Sequence, residues 1–351
     1  MTATAGLSEL VLDYVRHDGA CAAGIATVET LEGGPPSSDL TYVLPEARSA
    51  VSFALPLDES KIESYLRKES HSDHERDNRL VNTIVSGISA ELAAYLDAIG
   101  HPSYAVVANN VYRREVPGGQ RALLPELSHR YLAVASGVGW FGFSGNVITP
   151  THGAGVILGS VVTTAELDPT PPLPEDERYC DDCHLCLSSC NSKLMSTEET
   201  STVTLGGVEF SYSKRRTYQR CELVCGGFTG LNEHGKWSTW SPGRFAVPDN
   251  DDEFKGILRE TVVAANKRPQ GNGGIYHPLL MPGRRAQLTC GNCQLICHPD
   301  KDERKRRYRM LTKSGAVVQH PDGRLEAVSA RAAEAHLAAM APEERAAYER
   351  V

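Results

Sequence analysis

Nine of the ten cysteines of this chain crowd into one stretch, at 180, 183, 186, 190, 221, 225, 290, 293 and 297. Cys180-x2-Cys183-x2-Cys186-x3-Cys190 has the spacing that holds [4Fe–4S] clusters in pairs. Three thiolates on a tight loop can take three corners of one cubane, and the fourth leaves on a short helix toward a neighbouring cubane. Cys290-x2-Cys293-x3-Cys297 supplies the reciprocal half. Two cubanes need eight thiolates and these two groups hold seven, so the eighth is Cys221 or Cys225. The spacing therefore predicts one cluster on Cys180, Cys183, Cys186 and Cys297, and a second on Cys190, Cys290, Cys293 and one of Cys221 and Cys225. Structural zinc fits less well, because its sites pair C-x2-C knuckles across a longer stretch. Asn191 and His298 stand where the motif usually continues with Pro, which removes no ligand. Cys21 lies in a small-residue apolar run and reads as core.

Clustered cysteines in a reducing compartment point to metal or redox chemistry rather than disulfides. The rest of the composition agrees with that setting. The 351 residues carry 36 basic and 44 acidic side chains, a net charge of −8, which argues against a surface that grips nucleic acid throughout. No run approaches the ~18–20 apolar residues of a membrane span. The opening MTATAGLSELVLDYVRHDGA has no export signal, so the expectation is a cytoplasmic protein without a membrane partner.

The elements that must position the thiols can be read next. GACAAGIATV and SAVSFALPL have strand character. Val81, Val85, Ile88, Leu92, Tyr95 and Ile99 recur at spacings of three and four, predicting a helix over 78–99 that Gly100 stops. YAVVANNVY reads as a strand over 104–112. Residues 131–164 start helical, break into a Gly-rich loop and give two further strands. DPTPPLPEDE, at 168–177, is the predicted hinge. The stretch 226–289 is long, irregular and rich in Gly, Pro and Trp, as lids and binding loops often are. Beyond it come a basic run from Lys301 to Arg309 (expected as a solvated helix face), a hairpin around HPDGR and a final Ala/Glu-rich helix.

The Gly-rich loop adds a resemblance. Ser136-Gly137-Val138-Gly139-Trp140-Phe141-Gly142, then Ile148-Thr149-Pro150, then Leu158-Gly159 and Thr163-Thr164 resemble the loop region shared by epoxyqueuosine reductases and reductive dehalogenases. DYVRHDGACAAGIA and LPEARSAVSFALPL look like that family's opening segments. Arg220-Cys221 and CGNCQLIC are similar to its second-cluster residues, which favours Cys221 as the eighth ligand. The likeness runs over roughly 1–300, with a gap at 226–289. It implies an α+β protein: a nitroreductase-like α/β cobalamin-binding domain over 1–175, followed by a ferredoxin-like domain over 176–310 with two [4Fe–4S] clusters and the insertion 226–289. A C-terminal hairpin and helix fill 311–351. It also implies base-off cobalamin, with Gly137, Gly139, Trp140, Gly142, Ser144 and Thr149 as cofactor contacts, since glycines let backbone approach a flat ligand.

The implied activity is a reductase that takes electrons from a ferredoxin or flavodoxin-like donor through the second cluster, then the first, to cobalt. Its expected product is a cleaved C–O or C–halogen bond in a small organic substrate. Where epoxyqueuosine reductases carry a catalytic Asp ahead of the loop, this chain has Leu123, with Glu126 the nearest acid. His129, Tyr131 and Glu126 are the candidate proton donors. The insertion is expected to cap the cofactor and shape the pocket. Three alternatives stand beside this reading: a divergent epoxyqueuosine reductase acting on tRNA, an electron-transfer or cobalamin-handling protein without its own substrate, and a flavin in place of cobalamin.

Overall fold

A computed structural model describes residues 3–107, 111–119, 122–271, 275–276 and 285–350. The chain opens with helix α1 (Ala3–His17) and strand β1 (Ala22–Thr27). Strand β2 (Ser49–Pro56), helix α2 (Glu59–Leu66) and helix α3 (Ser72–Ala98) follow. After strand β3 (Ser103–Ala105) come helix α4 (His129–Ala135), the short β4 (Trp140–Phe141) and β5 (Val147–Ile148), and strand β6 (Val156–Thr163). The main sheet has the order β1-β2-β6-β3, with every neighbouring pair antiparallel.

Alternation along β2 explains why helices cover both faces of this sheet. Val51, Phe53 and Leu55 join the stripe Val81, Val85, Ile88, Leu92 and Leu96 of α3 and the buried Val11 and Val15 of α1. Ala50 and Ala54 face the other way, onto Leu132, Ala133 and Val134 of α4. The predicted helix is thus found, extended back to Ser72. The strand expected over 104–112 ends at Ala105, and residues 108–110 of that expectation lie outside the described residues.

The cysteine half is built from short pieces. Helix α5 (Leu185–Ser188) follows the first thiol loop. Strands β7 (Met195–Leu205) and β8 (Val208–Arg215) form a hairpin, and helix α6 (Gln219–Cys225) comes next. Helix α7 (Asp251–Ala265) lies within the insertion, where no helix is expected from the sequence; Asn250 caps it through bonds from Asp252 and Glu253 N–H. Its buried Phe254 and Ile257 pack with Leu223, Val224 and Phe228. Strands β9 (Ile275–Tyr276) and β10 (Arg285–Ala286) precede helix α8 (Asn292–Leu295) and helix α9 (Lys301–Thr312). The hairpin of β11 (Ala316–Gln319) and β12 (Leu325–Val328) and helix α10 (Ala330–Ala338) match the expected C-terminal pieces.

One apolar core joins the two sides of the 168–177 hinge. Trp237, Trp240, Leu295, Ile296, Leu311 and Val317 are buried with Phe53, Ile62 and Leu66. The α2–α9 contact adds charge. Arg307 is fully buried and pairs with Glu59 at 3.1 Å and Glu303 at 2.7 Å. Arg304 reaches Asp181 at 3.0 Å, and Arg306 pairs with Glu303 at 2.6 Å and with Glu63. Arg304, Arg306 and Arg307 are thus internal ties to named carboxylates, while Lys301, Lys305 and Arg309 stay exposed on the solvated face that the sequence predicts.

Candidate functional site

The first thiol loop turns by putting two non-glycine residues in the left-handed region, Asp182 at φ +50° and His184 at φ +55°. Those turns bring Cys180, Cys183 and Cys186 to one side. The loop is pinned from outside by Lys301 and Arg304 on Asp181, and by the His184 ring packed 4.3 Å from Phe143. Burial, then the nearby Cys180 and Cys183, pushes the Cys186 thiol up to about 12. Burial, then Cys186 and Cys180, raises Cys297 as well. These four thiols thus share one neighbourhood.

The second neighbourhood holds five. Cys221 and Cys225, one turn apart on α6, have their sulfurs at 3.5 Å. A hydrogen bond from Cys225 holds Cys290 down to about 7. Cys293 is raised by burial and then by Cys190, Cys221 and Cys290. Thiols that oppose one another's ionisation are relieved when a cationic core takes their charge. The donor set fits two thiolate-held clusters in this sense. Among the described residues, no three His, Cys, Asp or Glu side chains converge as they would on a single metal ion.

Between these thiols and the sheet lies a cavity of about 600 Å3. Its walls come from α4 (His129, Arg130, Tyr131), the 122–125 turn, β6, and the hairpin β7–β8 (Ser201, Tyr212, Arg215), with Tyr218 beyond it. The Gly-rich loop touches both centres. Phe143 N donates to Cys180 Sγ at 3.3 Å, and Asn146 Nδ2 donates to Cys293 Sγ at 3.6 Å.

The candidate proton donors separate on inspection. His129 is buried on the cavity wall. Its Nδ1 is 2.8 Å from Ser160 Oγ, and Nε2 makes no hydrogen bond among the described residues. Burial, partly offset by the Val107 backbone, lowers it to about 4, so the imidazole is neutral at pH 7. Tyr131 also lines the cavity, 3.2 Å from the Tyr212 hydroxyl; burial and that hydrogen bond make its phenol a weaker acid. Glu126 is not brought to the cavity. Its carboxylate acts on Tyr42 and Tyr104 instead, because the Tyr112–Pro125 bridge and the Arg113 bond to the Glu126 carbonyl turn that residue away.

The residue the sequence reading missed is Tyr218. Burial would raise its phenol, but Arg215 and then Arg130 outweigh burial and hold it below the usual range. Its oxygen accepts from Arg215 Nη1 at 2.9 Å and Arg130 Nη2 at 3.3 Å. The hairpin that delivers Arg215 was legible in part: T-V-T-L-G-G-V-E-F-S-Y alternates around Gly206-Gly207, the signature of a two-residue turn with both φ positive.

The loop contacts proposed for a cofactor also need correction. Gly137, Gly139, Trp140, Gly142, Ser144 and Thr149 do not line the cavity, whereas Asn146 and Val147 do. A Cβ on Gly139 would sit 2.6 Å from the Ile148 carbonyl, and one on Gly137 2.4 Å from that of Pro171. Close approach here is to the protein's own backbone. Trp140 packs 4.5 Å from Phe210, Ser144 offers its carbonyl to Arg215, and Thr149 bonds Gly153. The insertion likewise contributes no described residue to the cavity; Trp240 instead donates to the Tyr65 carbonyl at 3.0 Å. The part of it spanning 272–274 and 277–284 lies outside the described residues.

No protein-family model matches the chain. It is 30% identical over 175 residues to an epoxyqueuosine reductase of Gloeobacter violaceus, covering 50% of each protein, so the chain spans about half the length of that relative. Over 58 residues it is 40% identical to an epoxyqueuosine reductase of a Synechococcus species, covering 16% of this chain and 17% of the relative. Its fold matches that of a catabolic reductive dehalogenase, with a TM-score of 0.53 and 12% identity, over 99% of this chain and 38% of that one. The chain is thus similar in sequence to epoxyqueuosine reductases and in fold to a reductive dehalogenase. Among the described residues no helix is long and apolar enough to cross a membrane.

Proposed function

We propose that this chain is an iron–sulfur, corrinoid-dependent oxidoreductase that reduces a C–O bond. The observation that carries the reading is the pair of thiol neighbourhoods joined to one polar cavity through Phe143 and Asn146. Cys180, Cys183, Cys186 and Cys297 hold the first cluster; Cys190, Cys221, Cys290 and Cys293 hold the second, with Cys225 in reserve. A ferredoxin or flavodoxin-like protein is the electron donor. The cavity suits base-off cobalamin in chemistry: the His129 Nε2, which has no described partner, and the Ser128 and Gln294 side chains on the same wall can meet the amides at a corrinoid's periphery. When bound, cobalamin supplies reducing power at the scissile bond.

The chain's own part is protonation and charge. Tyr218, strengthened as an acid by two guanidinium groups, is the proton donor to an alkoxide leaving the substrate. The curated relatives favour a tRNA-borne epoxide as substrate. A second reading, a small organic substrate, is favoured by the apolar part of the cavity wall, from Leu124, Val156 and Leu158.

Anaerobic reconstitution tests the cofactor claim. Two clusters require about eight irons per chain, with one cobalt and a base-off spectrum after cob(II)alamin is added. Turnover is then assayed on epoxyqueuosine-bearing tRNA and on small epoxides in parallel. Iron without cobalt would remove cobalamin from the proposal, and zinc in place of iron would end it.

A further inference from the structure

Arg130 and Arg215 are set deep at the cavity wall, and neither has a carboxylate within ion-pair distance among the described residues. The undescribed segments contain no Asp or Glu at all, so none of them can supply the missing acid. No Asp or Glu lines the cavity either. Arg215 is satisfied in another way: it donates to the Ser144 carbonyl at 2.7 and 2.9 Å, to Asn146 Oδ1 at 3.0 Å and to Tyr218. Its charge also faces the Cys293 and Cys221 thiols. Arg130 faces no thiol; its guanidinium carbon lies 5.7–5.8 Å from the Tyr131, Phe141 and Tyr212 rings, a weaker offset than a carboxylate would give. It donates once to the Gly145 carbonyl at 2.7 Å and once to Tyr218 at 3.3 Å, leaving most of the fork's five N–H groups unspent.

We infer that the cavity takes its substrate as an organic carboxylate, held by the free N–H groups of the Arg130 fork, with the Tyr218 proton left for the reaction. The inference rests on the small-substrate reading of this site. A guanidinium fork matches a planar carboxylate in two parallel bonds. One uncompensated cation matches one negative charge. Leu124, Val156 and Leu158 give the carbon skeleton an apolar wall.

The test titrates benzoate, its neutral isostere benzamide and inorganic phosphate into the full chain with its clusters reconstituted, by calorimetry. Benzoate is expected to bind at least ~10-fold more tightly than benzamide, as a charge-assisted pair requires. Arg130→Gln should abolish that preference, whereas Tyr218→Phe, which keeps the ring and the Arg130 fork, should leave it within about twofold. Equal binding of benzoate and benzamide overturns the inference, as does a preference that survives Arg130→Gln. Phosphate binding more tightly than benzoate assigns the site to a phosphodiester and also overturns it. A last arm compares cobalamin with cobinamide, which lacks the nucleotide phosphate. If Arg130→Gln weakens only cobalamin, the oxyanion belongs to the cofactor and the carboxylate is excluded. The titrations need no cobalt. A chain that binds benzoate but never takes up cobalt keeps this inference and loses the proposed reaction; the opposite result does the reverse.

Discussion

Two pairs of arginines in this protein stand under opposite conditions, one buried at a packed contact and one half-buried at a cavity wall. At the α2–α9 contact, Arg304 and Arg307 are 4% and 0% exposed, and each sits against carboxylates. At the cavity, Arg130 and Arg215 meet carbonyls, an amide and a phenol, with no acid at hand. A cation taken out of water needs a partner. Where the fold supplies one, the arginine is a structural tie. Where it does not, the charge is left to act on whatever enters, and here it already acts on Tyr218. The contrast teaches that the count of basic residues says little about function, and that their pairing says a great deal.

The sharpest way to break this comparison is to remove one arginine from each side. Arg307→Met removes a fully buried cation and its bonds to Glu303, Glu59 and the Leu295 carbonyl, with Arg306 left on Glu303, and is expected to cost about 2–3 kcal/mol of stability. Arg130→Met leaves the Gly145 carbonyl short of a donor and Tyr218 with Arg215 alone, and is expected to cost about 1 kcal/mol or less. Denaturant unfolding of both variants checks the pair; equal losses would erase the distinction.

Lys68 offers a third case, a buried cation whose only described hydrogen bond is to the Ser314 hydroxyl. Burial lowers its ammonium to about 7. Between about 7 and about 10 the unfolded chain holds this proton and the folded one does not, so stability rises with pH there. The slope is at most about 1.4 kcal/mol per pH unit. Lys68→Met should flatten that rise and stabilise the protein at pH 7. Melting curves at pH 7, 8.5 and 10 read the difference, and an unchanged slope would mean that Lys68 keeps its charge.

The smallest effect concerns Arg215, whose charge faces the second thiol neighbourhood. Arg215→Met removes a positive charge beside Cys221 and Cys293 and is expected to move that cluster's midpoint potential negative, leaving the first cluster where it was. Redox titration followed by EPR separates the two. A shift confined to the first cluster would reverse the assignment of thiols to neighbourhoods.

Local pattern carried much of the architecture. The helix stripe of α3, the strand character of β1 and β2 and the C-terminal hairpin each depend on residues a few positions apart, which is where periodicity is informative. The cysteine groups were legible for the same reason: C-x2-C-x2-C states its geometry in seven residues. Helix α7 and the burial of Trp240 are not legible in the insertion's own spacing, because Phe254 and Trp240 find their partners far away in the chain. The glycines of the 137–142 loop were read as room for a ligand, yet Ile148 and Pro171 fill that room.

What the amino-acid sequence determined by itself is therefore the grouping of the thiols, the main helices and strands, and the small size of the Gly-rich loop residues. These follow from residue type and near spacing. Only the tertiary structure decided which charges are neutralised. Arg307 meets Glu59 across 248 positions, Arg130 meets Tyr218 across 88, and Glu126 turns away from a cavity three residues from His129. Electrostatic energy depends on distance through space and on access to water, and neither is written in the order of the residues.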